Sequence, residues 1–244
     1  PKSPGGKRSL LERVREADVL VESFSAARLN SLGLEPARLR RACPRLIHLS
    51  ITPFGRTGPR RGYPSSDSTL AAWGGQMHVS GMAAGRPLKL FGPQTFYAAS
   101  LFGANAVLLG LRRRRVTGQG CHIDLSVQEA VVSTLDHVMA DHFCGQTPAG
   151  RDAAAGPAQS FFMLPCRDGF AAIPVMRNWE ILRDLVNAEA DEAERLGDRW
   201  EDEAYRERHY RRFVDAVSAW TARRRKRELF TLGQAMGLPW APVE

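Results

Sequence analysis

The side chains best spaced for shared chemistry are His137 and Asp141, four residues apart in a stretch expected to be helical. On one helix face such a pair could ligate a metal ion, or form a general base with the group that orients it. No third ligand stands at matching spacing, so a surface ion pair is the simpler interpretation. His48, His78 and His122 stand alone near predicted strands or loops and are weak candidates.

Two carboxylates flank the predicted start of another helix. Asp124 and Glu129 lie where a helix dipole stabilises negative charge. Ser126 is a plausible N-cap with Glu129 three residues later, as in a capping box. Structural capping is therefore sufficient to explain both acids. The pair Gly74-Gly75 would allow a ligand close to the backbone, although close packing would explain it equally well.

The sequence carries no GxSxG, HExxH, P-loop or GxGxxG motif, so the common hydrolase, metalloprotease and nucleotide-binding signatures are absent. Its four cysteines are widely separated and form no CxxC pair, which favours reduced thiols over disulfides or a zinc site. No metal is expected. From single residues alone, an enzyme and a binding module remain nearly evenly matched.

The positive charge of the chain needs an explanation. A formal net charge of +8 over 244 residues could serve a nucleic acid, an anionic membrane or an anionic small molecule. The four arginines Arg112–Arg115 end an apolar helix, where the helix dipole favours cations. Neither they nor the basic stretch at 222–228 is interleaved with aromatic residues, so nucleic-acid binding is not expected.

No apolar run reaches the roughly 18–20 residues that a membrane span needs, so no membrane contact is expected. The first residues, PKSPGGKRSLLERV, hold no apolar signal core, which favours a cytoplasmic protein.

The elements that must position these residues alternate between helix and strand. Strands are predicted within 17–24, within 45–55 and at 121–127, and the first sixty residues follow the pattern of a parallel sheet with flanking helices. A long apolar helix is expected at about 95–113, and another at about 126–143. A hairpin turning at 167–169 and a series of charged helices come after them.

Five stretches occur in order at consistent spacing: ADVLVESFSAARLNSLGL, PRLIHLSITPFGRTGP, SSDSTLAAWGGQMHVSG, RRRRVTGQGCHIDLSVQEAVV and AMGLPWAPVE. Together they resemble the class III CoA-transferase family, which includes formyl-CoA transferase, carnitine CoA-transferase and α-methylacyl-CoA racemase. The resemblance implies an α/β fold in which a Rossmann-like large domain is interrupted by a smaller α/β domain, and an interlocked dimer.

The resemblance also implies a division of the chain. We expect the large domain at 1–143, a linker at 144–160, the small domain at 161–232 and the start of a return to the large domain at 233–244. Family members have about seventy residues before the point at which this sequence begins, so part of the large domain is expected to be absent.

The function implied is transfer of CoA between an acyl-CoA thioester and a free carboxylic acid, with CoA as the bound cofactor. One alternative is a catalytically inactive family member or half-domain that serves as a partner-binding scaffold. A second is an acyl-CoA racemase or epimerase. The expected partners are acyl-CoA, a carboxylic acid and either a second copy or a paired family subunit.

The family nucleophile is an aspartate at the start of the long apolar helix, which attacks the thioester. Ungapped counting from Gly74-Gly75 and from Thr117-Gly118 places Phe96 at that position, where we expect it to be buried beside the thioester site. Phenylalanine cannot act as a nucleophile, acid or base. Glu129, and after it Asp67, are therefore the candidate catalytic carboxylates.

The family's CoA-contacting loop is roughly Glu-Asn-Phe-Arg-Pro-Gly, and here residues 22–27 read ESFSAA. Only Glu22 and Phe24 match, and Arg28 could replace the lost cation. The candidate CoA-binding residues implied by the resemblance are Glu22, Ser23, Phe24, Ser25, Arg28, Gly74 and Gly75.

Overall fold

A computed structural model describes residues 3–81, 85–145, 161–192 and 195–244, apart from the side chain of His137. The chain forms two compact units, Pro1–Gly150 and Arg151–Glu244. Residues 146–160 of the predicted linker lie outside the described residues.

The first unit alternates helices with strands. Its elements are α1 Pro4–Glu16, β1 Val19–Glu22, α2 Ala26–Leu32, α3 Pro36–Ala42, β2 Ile47–Thr52, α4 Asp67–Trp73, α5 Gln76–Val79, α6 Gln94–Thr117, β3 Cys121–Ser126, α7 Val127–Val132 and α8 Asp136–Phe143. The three predicted strands and the long apolar helix are confirmed.

The strands form a parallel sheet in the order β1-β2-β3. Two registered rows cross all three strands: Leu20 pairs with His48 and His48 with His122, while Glu22 pairs with Ser50 and Ser50 with Asp124. Strands in parallel sheets are usually apolar on both faces, because helices cover both. Here one face instead carries a polar side chain at every second position of β2 and β3, from His48 to Thr52 and from His122 to Ser126.

Helix α6 packs on the sheet through small residues. Its buried positions are Thr95, Ala99, Gly103 and Gly110. A Cβ atom added to Gly103 would lie 3.1 Å from Cδ2 of Leu49, and one added to Gly110 would lie 3.2 Å from Cγ2 of Ile47. The helix therefore lies close against β2, with its backbone filling space that side chains would otherwise take.

The outward face of α6 is apolar and exposed. Leu101, Leu108 and Leu109 are 68%, 64% and 67% exposed. By length and composition this helix could cross a membrane, which differs from the expectation that no run is long enough. The polar residues that interrupt the run, such as Ser100 and Asn105, are uncharged, so the helix stays apolar on average. A helix packed in the core of a soluble protein can have the same length and composition.

The helix predicted at 126–143 is two helices, α7 and α8, separated at residues 133–135. The hydroxyl of Ser133 donates to the carbonyl of Glu129, and that of Thr134 to the carbonyl of Val131. Hydroxyls that bond backbone carbonyls compete with the helical pattern, which accounts for the break. Asp141 lies on α8, but the side chain of His137 is outside the described residues, so the predicted pair stays a prediction.

The second unit combines a small antiparallel sheet with helices. Its elements are β4 Phe162–Cys166, β5 Gly169–Ile173, α9 Trp179–Asn187, a 3-10 turn Asp198–Glu201, α10 Glu203–Ala222, α11 Lys226–Ala235 and β6 Ala241–Pro242. The predicted hairpin is confirmed as β4 and β5, and β6 pairs with β5. Its core combines aliphatic side chains with large aromatic ones, among them Trp200, Phe213, Trp220 and Trp240.

Residues 233–244 pack within the second unit. That they begin a return to the large domain stays a prediction. Trp240 is 1% exposed within the core of this unit, and Leu238 packs there as well. A Cβ atom on Gly233 would lie 2.7 Å from Cβ of Trp240, so the chain folds back tightly onto α11. Burial of this indole holds the segment in place.

Candidate functional site

The carboxyl ends of the three parallel strands are joined by Arg56, which lies in the loop after β2. Its Nη2 donates to Oε1 of Glu22 at 2.6 Å and to the carbonyl of Phe24 at 3.1 Å. Its backbone N–H donates to both carboxylate oxygens of Asp124, at 3.1 and 3.0 Å. Arg56 thus connects the ends of β1 and β3. This edge of a parallel sheet is where ligands of open α/β folds bind.

Glu22 is a buried carboxylate, with a side chain that is 2% exposed. Burial alone raises the pKa of this group. Hydrogen bonds from His48, Ser50, the backbone of Phe24 and Arg56 outweigh burial and lower the pKa of Glu22 to about 2. The carboxylate is therefore charged and held by several donors.

A second polar group continues from Glu22 across the sheet. Nε2 of His48 lies 3.4 Å from Oε1 of Glu22, and Oγ of Ser50 lies 2.9 Å from Nε2 of His122. The two imidazole centroids are 4.7 Å apart. Burial and the neighbouring His48 lower the pKa of His122, more than the attraction of Asp124 raises it. The surroundings of His122 therefore disfavour its charged form.

The predicted CoA loop is attached to this network. Glu22 points into the protein, and its Oε2 accepts from the N–H of Phe24 at 2.8 Å. Oγ of Ser25 accepts from the N–H of Arg28 at 3.3 Å and caps α2. Ser23, Phe24 and the Arg28 side chain are exposed. Ser23 and Phe24 of the loop and Arg28 of α2 are therefore accessible to solvent, while Glu22 and Ser25 hold the shape of the loop.

Phe96 lies on the first turn of α6 and is 42% exposed, so the expectation that it is buried is wrong. Its neighbour Thr95 is the buried residue of this turn, at 0% exposure. Consecutive helical residues point about 100° apart, so Phe96 points away when Thr95 faces the protein interior.

Asp67 lies near this turn through contacts with Thr95 and Lys89. Its Oδ1 accepts from the hydroxyl of Thr95 at 2.6 Å and from its N–H at 3.2 Å, and its Oδ2 pairs with Nζ of Lys89 at 2.7 Å. Burial raises the pKa of Asp67, but Lys89 and Thr95 lower it by more. Both oxygens are engaged, so this carboxylate fixes the start of α4 to the start of α6.

Glu129 has a different environment. It is exposed and lines a cavity of about 340 Å³ together with Asp124, Gln128 and the loop 54–60. Its N–H donates to Oγ of Ser126 at 3.2 Å, so Ser126 is confirmed as the N-cap, while the second bond of a capping box is not found among the described residues. Within the described part of the chain, its carboxylate has no hydrogen-bond or ion-pair partner. Of the two predicted catalytic carboxylates, Glu129 is the one with free oxygens.

Gly74 and Gly75 pack beneath the neighbouring helices. A Cβ atom on Gly74 would overlap Cγ1 of Val131, and one on Gly75 would lie 3.2 Å from Cδ1 of Leu135. The space that a side chain at position 74 would occupy is filled by α7. Among the described residues, no three His, Cys, Asp or Glu side chains come close enough together to hold a metal ion.

The sequence did not predict that one group of site residues lies together. This group consists of Arg56, His48, Ser50 and His122. The sequence did contain a signal for this part of the site. Polar residues stand at every second position of β2 and of β3, which places their side chains on one face of the sheet. Pairing between distant strands cannot be deduced from either strand alone. The register of the sheet supplied the missing information.

A sequence model described as CoA-transferase family III matches residues 1–244. The succinyl-CoA:(R)-benzylsuccinate CoA-transferase subunit BbsE of Thauera aromatica is 34% identical over 239 residues, covering 93% of this chain and 57% of that protein. The succinyl-CoA:glutarate CoA-transferase of Mus musculus is 29% identical, over 99% of this chain and 56% of that protein. The chain thus spans little more than half the length of these relatives.

The fold has counterparts among solved structures. A CAIB/BAIF family protein from Brucella suis superposes with a TM-score of 0.80 at 24% identity, covering all of this chain and 64% of that one. At this identity the likeness concerns the fold, which is mixed α/β.

Proposed function

Because the chain belongs to the CoA-transferase family III, we propose that the protein acts in the transfer of CoA between an acyl-CoA thioester and a free carboxylic acid. The observation that carries this proposal is the family match over all 244 residues. In the reaction the donor acyl group loses its C–S bond to CoA and gains a C–O bond, while the acceptor carboxylate loses a C–O bond and gains a C–S bond to CoA. One oxygen therefore passes from acceptor to donor, and the products are the donor's carboxylate and the acceptor's acyl-CoA. CoA is itself the group transferred, and no metal is required.

The names of the relatives support a substrate class. Succinate, glutarate and benzylsuccinate each carry two carboxylates, and they occur in the names of the two relatives described above. We extend the proposal to dicarboxylic acids and their mono-CoA thioesters. We assign CoA binding to Ser23 and Phe24 of the exposed loop and to Arg28 of α2, with Arg28 as the cation for a phosphate.

The catalytic carboxylate in this proposal is Glu129. It has free oxygens, lines a cavity and lies beside the carboxyl edge of the sheet. A nucleophilic carboxylate would attack the thioester carbonyl, release the CoA thiolate and form a mixed anhydride. Asp67 is the weaker candidate because Thr95 and Lys89 occupy both of its oxygens.

A second candidate function is suggested by Phe96. Phe96 is exposed on the first turn of α6, at the position where the family aspartate is expected. This substitution favours a subunit that does not supply the nucleophile. In this version the chain pairs with a family subunit that carries the aspartate, and BbsE is itself named as a subunit. We also propose that two chains interlock, that the large domain is Rossmann-like and that the protein is cytoplasmic. Racemase chemistry is not favoured by a specific feature of this site.

The test is exchange of isotopically labelled glutarate into succinyl-CoA, followed by chromatography of the CoA esters. Label appearing in glutaryl-CoA with the protein alone supports a transferase with its own carboxylate, and Glu129→Gln should then lower the rate at least 100-fold. The exposed Glu12→Gln is the matched control and should leave the rate unchanged.

Exchange that requires addition of an aspartate-bearing family subunit would support the second candidate instead. In that case Phe96→Asp should give the chain exchange activity of its own. Absence of exchange under all of these conditions, over a panel of dicarboxylic acids, would contradict both candidates.

A further inference from the structure

A cavity of about 330 Å³ lies between α9 and α10 in the second unit. This volume is at the lower end of the range for small-molecule sites, about 300–1,000 Å³. Its walls include Glu189, Arg212, Ala216, Ala219, Trp220 and Arg223. None of these residues takes part in the carboxyl-edge site of the first unit.

The cavity runs along a single face of α10. Arg212, Ala216, Ala219 and Arg223 are spaced by four, three and four residues, which places them on one side of a helix. The two alanines leave room beside the backbone between the arginines. Eleven residues of helix separate the arginine Cα atoms by about 16 Å, a span that two extended arginine side chains can close on a small ligand.

The charge in this cavity is positive. The only acidic residue in its wall, Glu189, pairs with Arg224. The guanidinium of Arg224 also lies 3.8 Å from the ring centre of Trp220 and donates to its carbonyl at 2.7 Å. In the described part of the chain, Arg212 and Arg223 have neither hydrogen-bond nor ion-pair partners. Two arginines are therefore available to an anion.

Trp220 forms part of the wall of the cavity. It is 3% exposed, and its indole Nε1 is buried with no hydrogen-bond partner among the described residues. The indole, Val186 and the alanines also give the cavity an apolar surface.

We propose that this cavity binds a small organic anion, a carboxylate on a compact apolar body, with Arg212 and Arg223 on the charged end. The apolar body would rest against Trp220 and the two alanines. Arginine suits a carboxylate because its planar group can donate two parallel hydrogen bonds. The site is separate from CoA transfer and does not depend on the proposed function.

The test is calorimetric titration of benzoate into the protein at low ionic strength, in the absence of any CoA ester. We expect saturable binding at one site per chain. The double variant Arg212→Gln/Arg223→Gln should weaken binding at least tenfold, and the exposed Arg199→Gln should change it less than twofold. All three arginines are exposed, so these variants are expected to fold, and circular dichroism checks that they do.

A second readout locates the ligand. Benzoate should change the indole fluorescence of the wild type, and the change should be absent in Trp220→Phe. Absence of saturable binding would overturn the proposal, as would equal affinity in the double variant. Inorganic phosphate binding as tightly as benzoate would also overturn it, because the apolar body would then contribute nothing.

Discussion

Nη2 of Arg56 lies 2.6 Å from Oε1 of Glu22, and this ion pair connects the loop after β2 to the end of β1. The side chains are 11% and 2% exposed, so the pair is shielded from water. The same arginine backbone holds Asp124 at the third strand. The shape of the exposed loop at residues 23–25 therefore depends on a residue more than thirty positions later in the sequence.

Arg56→Gln should strongly destabilise the first unit. It leaves the Glu22 carboxylate buried with fewer donors, and loss of one partner of a buried pair costs about 3–5 kcal/mol. Urea unfolding at pH 7, followed by circular dichroism, measures the change. Arg61→Gln is the control, because Arg61 is exposed in the same loop. Equal stability of the two variants would show that the pair contributes nothing.

The ionisation of Glu22 should make the free energy of unfolding depend on pH in the acidic range. Its pKa is about 2 in the folded chain against 4.5 for the free group, so it stabilises the fold above pH 4.5 and loses this effect as the pH falls towards 2. A shift of this size corresponds to about 3 kcal/mol at neutral pH. Urea unfolding between pH 6 and pH 3 should give a steeper loss for wild type than for Glu22→Gln. Parallel curves would contradict this assignment.

His122 should titrate below its ordinary pKa of 6.5. Burial and the adjacent His48 disfavour its charged form, so the unfolded chain binds a proton more readily than the folded one. Stability from this group is present above pH 6.5 and is lost as the pH falls through the lower folded pKa. A proton NMR titration of the imidazole signals measures it, and His48→Asn should move the pKa of His122 back upward. An unchanged pKa in that variant would remove His48 as a cause.

Gly120→Ala should prevent normal closure of the turn before β3. The added Cβ would overlap the carbonyl oxygen of Leu46, which is backbone and cannot rotate away. We expect a loss of about 3 kcal/mol in unfolding free energy, at the upper end for overpacking. Gly62→Ala is the matched control, since no heavy atom lies within 4 Å of its added Cβ. Thermal unfolding distinguishes the two, and a similar melting temperature for both would refute the clash.

Local patterns predicted the elements well. Apolar runs indicated the strands at Val19–Glu22 and Ile47–Thr52, and the hairpin turn at 167–169 stood out by its residue types. The break at 133–135 was missed because Ser and Thr are tolerated within helices, and only their bonds to carbonyls reveal the end of α7. Propensity is too weak a signal to detect such a competition.

The site was less predictable. Glu22 was expected to contact CoA, yet its side chain points inward and bonds Arg56. The sequence did not predict this direction, because Arg56 and the paired residue Ser50 both lie far from Glu22 along the chain. The direction of Phe96 depends on which side of α6 meets the sheet, and small residues, rather than large apolar ones, mark that side. A search for bulky apolar stripes selects the opposite face, which is the exposed one.

The close approach of α6 to β2 has a consequence for how this chain can change over evolutionary time. Gly103 faces Leu49 and Gly110 faces Ile47, so each contact pairs a missing side chain with a large one. Volume gained on the helix must be given up on the strand. We therefore expect positions 103 and 49, and positions 110 and 47, to covary among relatives, with a larger helix residue accompanied by a smaller strand residue.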